Sequence, residues 1–150
     1  MSAMPDPVQT RAVVVRAVVC EEPISSAQHA ALVRGNDRGA VVTFSGVVRD
    51  HDHGRAVTDL QYSAHPSAGE VLAGIVAEAA DRFGVGAIAV SHRIGSLQIG
   101  QEAFVVAVAS AHRTAAFETC AWLVDEVKSR VPIWKRQTFD DGTHEWVNCP

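Results

Sequence analysis

A chain of 150 residues can bury roughly two thirds of its unfolded surface in one core, so neither a disulfide framework nor a structural metal is needed to fold it. With 47% hydrophobic and 20% charged residues it falls among ordinary globular domains. A formal net charge of -4 argues against a general nucleic-acid or membrane-surface binder, which would carry a basic field over a whole face.

Cys20, Cys120 and Cys149 lie far apart with no C-x-x-C pair, which fits a reducing compartment and gives no zinc signature. No apolar run approaches the ~20 residues that span a bilayer, and the first residues lack a basic stretch followed by an apolar one. The chain therefore reads as a cytoplasmic protein.

Residues 1–10, with two prolines and little apolar content, are expected to be a flexible leader, and residues 11–150 a single domain. RAVVVRAVVC is Val-rich and predicts a strand buried on at least one face. After Pro23, Ser25 or Ser26 caps a short helix to about Val33, closed by GNDRG. GAVVTFSGVV predicts a second strand from Ala40 to Val48, with Gly46 marking a bulge or a close backbone approach.

RDHDHGRA, from Arg49 to Ala56, reads as an exposed polar loop and a candidate lid. VTDLQY returns as a strand antiparallel to the one before it. Pro66 suits the first turn of the next helix, whose Leu72, Ile75, Val76, Ala79 and Phe83 follow helical spacing until Gly84 ends it. AIAVSHRIG puts Ile88, Val90, His92 and Ile94 on one strand parity, where His92 reads as a partly buried core residue rather than a ligand.

A turn at Gly100 precedes AFVVAVAS, a strand apolar on both faces and so covered on both sides. A long helix follows from about Thr114 to Arg130. Pro132 breaks it, IWKRQTF reads as an edge strand, DDGT as a hairpin turn and HEWV as a closing strand. These elements make an α+β fold, a mostly antiparallel sheet with about three helices packed on it.

Chemistry is suggested first by the long helix. At 100° per residue, Val124, Ala121 and Phe117 project within about 40° of Lys128, so this lysine continues an apolar stripe. Two readings stand: a lysine whose stem covers apolar surface while its ammonium reaches water, or an ammonium held in a partly desolvated anion pocket. Lys135 and Arg136 sit on an extended segment and point to opposite faces, so only one of them can share a pocket with Lys128.

At the other end of the helix, His112 and Arg113 flank unpaired N–H groups that could hold an anion, or form a solvated cap. His51-x-His53 with Asp50 and Asp52 reads as a solvated loop in preference to a metal site, because no distant third ligand is indicated. Trp122 shares its helix face with Glu118, Asp125 and Ser129, and an aromatic on a polar face hints at a subunit contact.

Four blocks, GAVVTFSGVVRDH, HRIGSLQIGQE, SAHRTAAFE and VKSRVPIWKR, resemble in order and spacing the large catalytic subunit of molybdopterin synthase. The resemblance covers roughly Ala12 to Val147. It implies an α/β-hammerhead fold and an enzyme that installs the two dithiolene sulfurs of molybdopterin on cyclic pyranopterin monophosphate. It also implies a partner, a small ubiquitin-like sulfur carrier whose C-terminal Gly-Gly ends in a thiocarboxylate, and a homodimer at the core of a heterotetramer.

By position, the resemblance assigns Lys128 and Lys135 as catalytic. Phe44, Val47, Val48, Arg49, His112, Arg113, Arg136 and Gln137 are assigned to substrate binding, with His112 and Arg113 contributed across the dimer. It implies no metal and no cofactor, and it leaves the three cysteines without a catalytic role, since the partner brings the sulfur. Val124 stands where some members carry Met, and Gln101 where an acidic residue is common. A non-catalytic module that docks a ubiquitin-like tail or a phosphate, and a regulatory relic of the same fold, are the alternatives.

Overall fold

A computed structural model describes residues 11–148; the proposed leader and Cys149 lie outside the described residues. The Val-rich run forms β1 (Val13–Cys20), and α1 (Ser26–Val33) follows, its Ser25 side chain accepting from the Gln28 N–H as an N-cap should. Then come β2 (Ala40–Val47), the two-residue β3 (His51–Asp52) and β4 (Arg55–Ala64). The second half supplies α2 (Ala68–Arg82), β5 (Ala87–Arg93), β6 (Gly95–Leu97), β7 (Glu102–Ser110), α3 (Arg113–Arg130), β8 (Ile133–Phe139) and β9 (His144–Asn148).

Two sheets result. The first has the order β1-β5-β7-β2, with β1 and β5 parallel and the other ladders antiparallel. The second has the order β3-β4-β8-β9, with β6 also pairing β4.

The central strands β5 and β7 are buried on both faces, as the sequence of β7 predicts, and alternation sorts their side chains. Ile88, Val90, Phe104, Val106 and Val108 meet α2 and α3 in the main core, where Leu72, Ile75 and Leu123 are fully buried. On the other face Ala87, Ala89, Ala107 and Ala109 present only methyl groups, and α1 lays Val33 against them. Val48, Leu60, Leu97 and Ala103 form a third cluster that joins the two sheets.

Several expectations are corrected. β4 does not pair with β2: β2 closes the first sheet beside β7, its ladder running past the Gly46/Val47 bulge to its end at Val47, and β4 is held in the second sheet by β8. Arg49–Ala56 is no open loop but a tight hairpin, β3 to β4, whose turn places His53 at φ 50 and Gly54 at φ 77. β8 is not an edge strand, since β9 pairs along its far side.

Pro66 precedes α2 rather than opening it, for the helix begins at Ala68 after a turn in which Ser67 N–H donates to His65 Nδ1. β1 is a sheet edge whose Val13, Val14 and Val15 stay exposed. Among the described residues no helix is long and apolar enough to cross a membrane.

Candidate active site

Where the two sheets meet the C-terminal half of α3, a cleft of about 270 Å3 opens. Lys128 enters it from the last turn of α3 and Lys135 from β8, while Val47 and Arg49 come from the end of β2. The Gly46 bulge is what turns Val47 and Arg49 toward it, by shifting the register of β2 against β7. On β8 strict alternation decides between neighbours: Lys135 faces the cleft, and Arg136 goes to the other face, its guanidinium 5.8 Å from the Trp146 ring centroid.

The floor is aromatic. His92 stacks on Phe104 at 5.3 Å and meets Tyr62 edge-on at 5.0 Å, while Phe44 meets Phe104 edge-on at 5.5 Å. The Lys128 Nζ lies 5.9 Å from the Phe44 ring centroid, within the range of a weak cation–π attraction. His92 is 2% exposed, and its Nδ1 donates to the Arg93 carbonyl oxygen at 2.7 Å. Burial, aided by the positive charge of Lys128, pushes its imidazolium pKa down to about 4 against the opposing pull of that carbonyl. His92 is therefore a neutral ring at ordinary pH and adds no charge beside the lysines.

The candidate residues from sequence divide into those brought together and those kept apart. Val47, Arg49, Lys128 and Lys135 share the cleft, with Phe44 at its back. Val48 turns its side chain into the third hydrophobic cluster and contributes only backbone, its N–H to the Gln101 carbonyl and its carbonyl to the Gly100 N–H. Gln137 is 4% exposed and gives its amide to Asp52. His112 and Arg113 are exposed at the start of α3, and the 15 residues from Arg113 to Lys128 correspond to about 22 Å of helix. One copy of the chain cannot bring both ends of α3 to one small ligand.

The stripe on α3 is also not what its spacing implies. Phe117 is 60% exposed and Ala121 is exposed, so with Val124 and Val42 they line an open apolar groove of about 380 Å3 beside the cleft. The seam that faces the core is Ala116, Thr119, Cys120, Leu123 and Val127. Trp122, read as a contact for a second subunit, is half-buried against Phe83 of the same chain at 5.5 Å.

Sequence reasoning assigned no site role to Tyr62, His92 or Phe104, although HRIG was one of the blocks that carried the resemblance. Among the described residues no three His, Cys, Asp or Glu side chains gather as a metal would require; His51 Nδ1 instead lies 2.7 Å from Asp50 Oδ1. Burial raises the Cys120 thiol to about 11, which keeps it protonated and unreactive.

The family model described as MoaE protein matches residues 19–130. A molybdopterin synthase catalytic subunit of Pyrococcus abyssi is 45% identical over 118 residues, 78% of this chain and 79% of that protein. Its counterpart from Escherichia coli is 41% identical over 134 residues, 88% and 89% of the two chains. The crystal structure of molybdopterin synthase from Staphylococcus aureus superposes with a TM-score of 0.80 at 33% identity, covering 87% of this chain and 96% of that one. A complex of the two subunits of molybdopterin-converting factor from Helicobacter pylori, 20% identical, shares the fold at a TM-score of 0.67.

Proposed function

The chain belongs to the MoaE protein family, and from that premise we propose that it is the catalytic subunit of a molybdopterin synthase. It transfers sulfur from the thiocarboxylated C-terminus of a small ubiquitin-like partner to cyclic pyranopterin monophosphate, in two rounds that form the dithiolene. The observation that carries this reading is the convergence of Lys128, from α3, and Lys135, from β8 of the second sheet, on one cleft with Arg49 at its mouth.

Both reactants are anionic, one a cyclic phosphate and the other a thiocarboxylate. Two like charges brought together in a cleft with an apolar floor repel more strongly than in water, and Lys128, Lys135 and Arg49 offset that repulsion. Attack by the thiocarboxylate sulfur on the pterin side chain forms a thioester to the partner's C-terminus, expels an oxygen and opens the cyclic phosphate. Water then cleaves the acyl–sulfur bond, leaving the sulfur on the pterin and a carboxylate on the partner. An ammonium beside the leaving oxygen donates the proton, and Lys128 and Lys135 are the groups placed to do so. The neutral His92 beneath them leaves their charge free to act on the substrate.

The tail of the partner arrives extended, and a Gly-Gly end has no side chains to obstruct a narrow cleft. His112 and Arg113, at the far end of α3, belong in this reading to the site of a second copy, within a homodimer carrying one small subunit at each end. Residues 11–150 act as one cytoplasmic domain, with no metal or cofactor of their own.

The test is a reconstituted assay with purified thiocarboxylated small subunit and the pterin precursor, following dithiolene formation. Lys128→Ala is expected to lower turnover by at least about a hundredfold while partner binding in calorimetry changes little. Wild-type turnover in that variant would show that Lys128 is not catalytic, and a wild-type protein with no turnover would leave a docking module as the better reading.

A further inference from the structure

We propose that Asp52 is a positioning residue for this reaction: its carboxylate latches the segment carrying Arg49 onto β8, the strand that carries Lys135, and so keeps the arginine at the mouth of the cleft. The proposal rests on the reading of that cleft as the anion site. Asp52 lies in a polar hairpin, yet its side chain is only 15% exposed. One oxygen, Oδ2, accepts from Gln137 Nε2 at 2.7 Å, and the other, Oδ1, lies 3.4 Å from Arg49 Nη2 and 3.7 Å from His53 Nε2.

A carboxylate beside a cleft that gathers cations has the wrong sign for an anion site, and it weakens binding unless it does something else. The geometry shows what else. Gln137 is buried in mid-strand, paired with Leu60 of β4 on one side and Glu145 of β9 on the other, so it is a fixed post. Its bond to Asp52 holds the Asp52 carboxyl below the usual carboxylate range, as expected of an ionised acceptor. Arg49 is 65% exposed and long, so without a tether it samples many rotamers that point away from the cleft. Gln137 therefore serves substrate through Asp52 and Arg49 rather than by touching it.

Losing the latch does not unfold the hairpin, which has separate anchors. Val57 N–H donates to the Asp50 carbonyl at 2.8 Å, Asp140 N–H to the Ala56 carbonyl at 3.1 Å, and the Arg55 guanidinium lies 3.7 Å over the Phe139 ring. The effect of Asp52 is thus confined to the segment from Arg49 to His53.

The experiment compares Asp52→Ala and Asp52→Asn, each with Arg49 present and with Arg49→Ala, in the reconstituted synthase, and follows amide hydrogen exchange across residues 49–54. Asp52→Ala is expected to raise KM for the pterin about tenfold with kcat within about twofold. Asp52→Asn, which still offers Gln137 an oxygen but turns an amide NH2 toward Arg49, should raise KM about threefold, between wild type and Asp52→Ala. In the Arg49→Ala background Asp52→Ala should add nothing, because the two act as one unit.

An equal KM penalty without Arg49, an Asn variant as poor as the Ala variant, or an unchanged KM overturns the proposal. Exchange in 49–54 should quicken in Asp52→Ala and not in Asp52→Asn, and equal exchange in all three proteins also overturns it. A wild-type protein with no turnover would count against sulfur transfer instead, and the exchange comparison would still decide the latch.

Discussion

His92 carries a proton-linked cost that can be read apart from catalysis. Its folded pKa of about 4 lies below the ordinary 6.5, so between those values the unfolded chain takes up a proton that the folded one refuses. Stability from this group is whole above about pH 6.5 and is lost as pH falls toward 4. From pH 7 to pH 5 the loss comes to about 2 kcal/mol. Urea unfolding at the two pH values should show wild type losing about that much more than His92→Phe. Burial also lowers the pKa of His29, with the same sign, but His29 is present in both proteins and cancels. Equal losses would mean that His92 titrates normally.

At this scale the lysines were legible because a cation continuing an apolar stripe breaks a pattern. Tyr62, His92 and Phe104 were not, because a residue flooring a cleft from a central strand has the same parity as one in the core. Lys135 was legible only as one of two, since alternation says that Lys135 and Arg136 part company and the fold says which way.

Among the elements, α1 depends on a residue far away in sequence. Glu102 at the start of β7 accepts from the Ser26 N–H at 2.9 Å, from Ser26 Oγ at 3.3 Å and from Ser45 Oγ at 2.7 Å, so one carboxylate ties the N-terminus of α1 to β2 and β7. A charge there also meets the positive end of the helix dipole. Glu102→Ala is expected to cost about 1–3 kcal/mol in chemical unfolding, with Glu102→Gln recovering part of it. A loss below about 0.5 kcal/mol would show that water replaces the carboxylate without penalty.

The strands themselves were legible from β-branched runs, the bulge from Gly46, and the stop of α2 from Gly84, which takes φ 66. Which strand pairs with which was not. Pairing between residues tens of positions apart leaves no local trace, so β4 looked like the partner of β2 until β8, from the far end of the chain, took that place. The α3 stripe misled for a related reason: helical spacing reports which residues share a face, and only packing decides whether that face meets core or solvent.

For the whole molecule the decisive length is that of α3. If Arg113 of one copy serves the Lys128 of another, a Lys128→Ala chain and an Arg113→Ala chain repair each other when mixed. Each mixed dimer then holds one site with both residues intact. Random reassortment should restore about a quarter of wild-type activity, half the dimers being mixed and half of their sites whole. Activity no greater than the average of the two parents would place both residues in separate roles within one chain.

The ladder between β1 and β5 has a temporal consequence. Val13 pairs with Ala87, Ala40 with Ser110 and Val57 with Phe139, so every long strand in the first half of the chain has its partner in the second. During synthesis at about 5–20 residues per second, β1 therefore waits roughly 4–15 s before β5 exists to receive it. Its exposed valines spend that interval unpaired on the ribosome, where the nascent chain is open to chaperones and to other nascent chains. Most of the fold is thus assembled only near the end of translation, once β7 and β8 emerge.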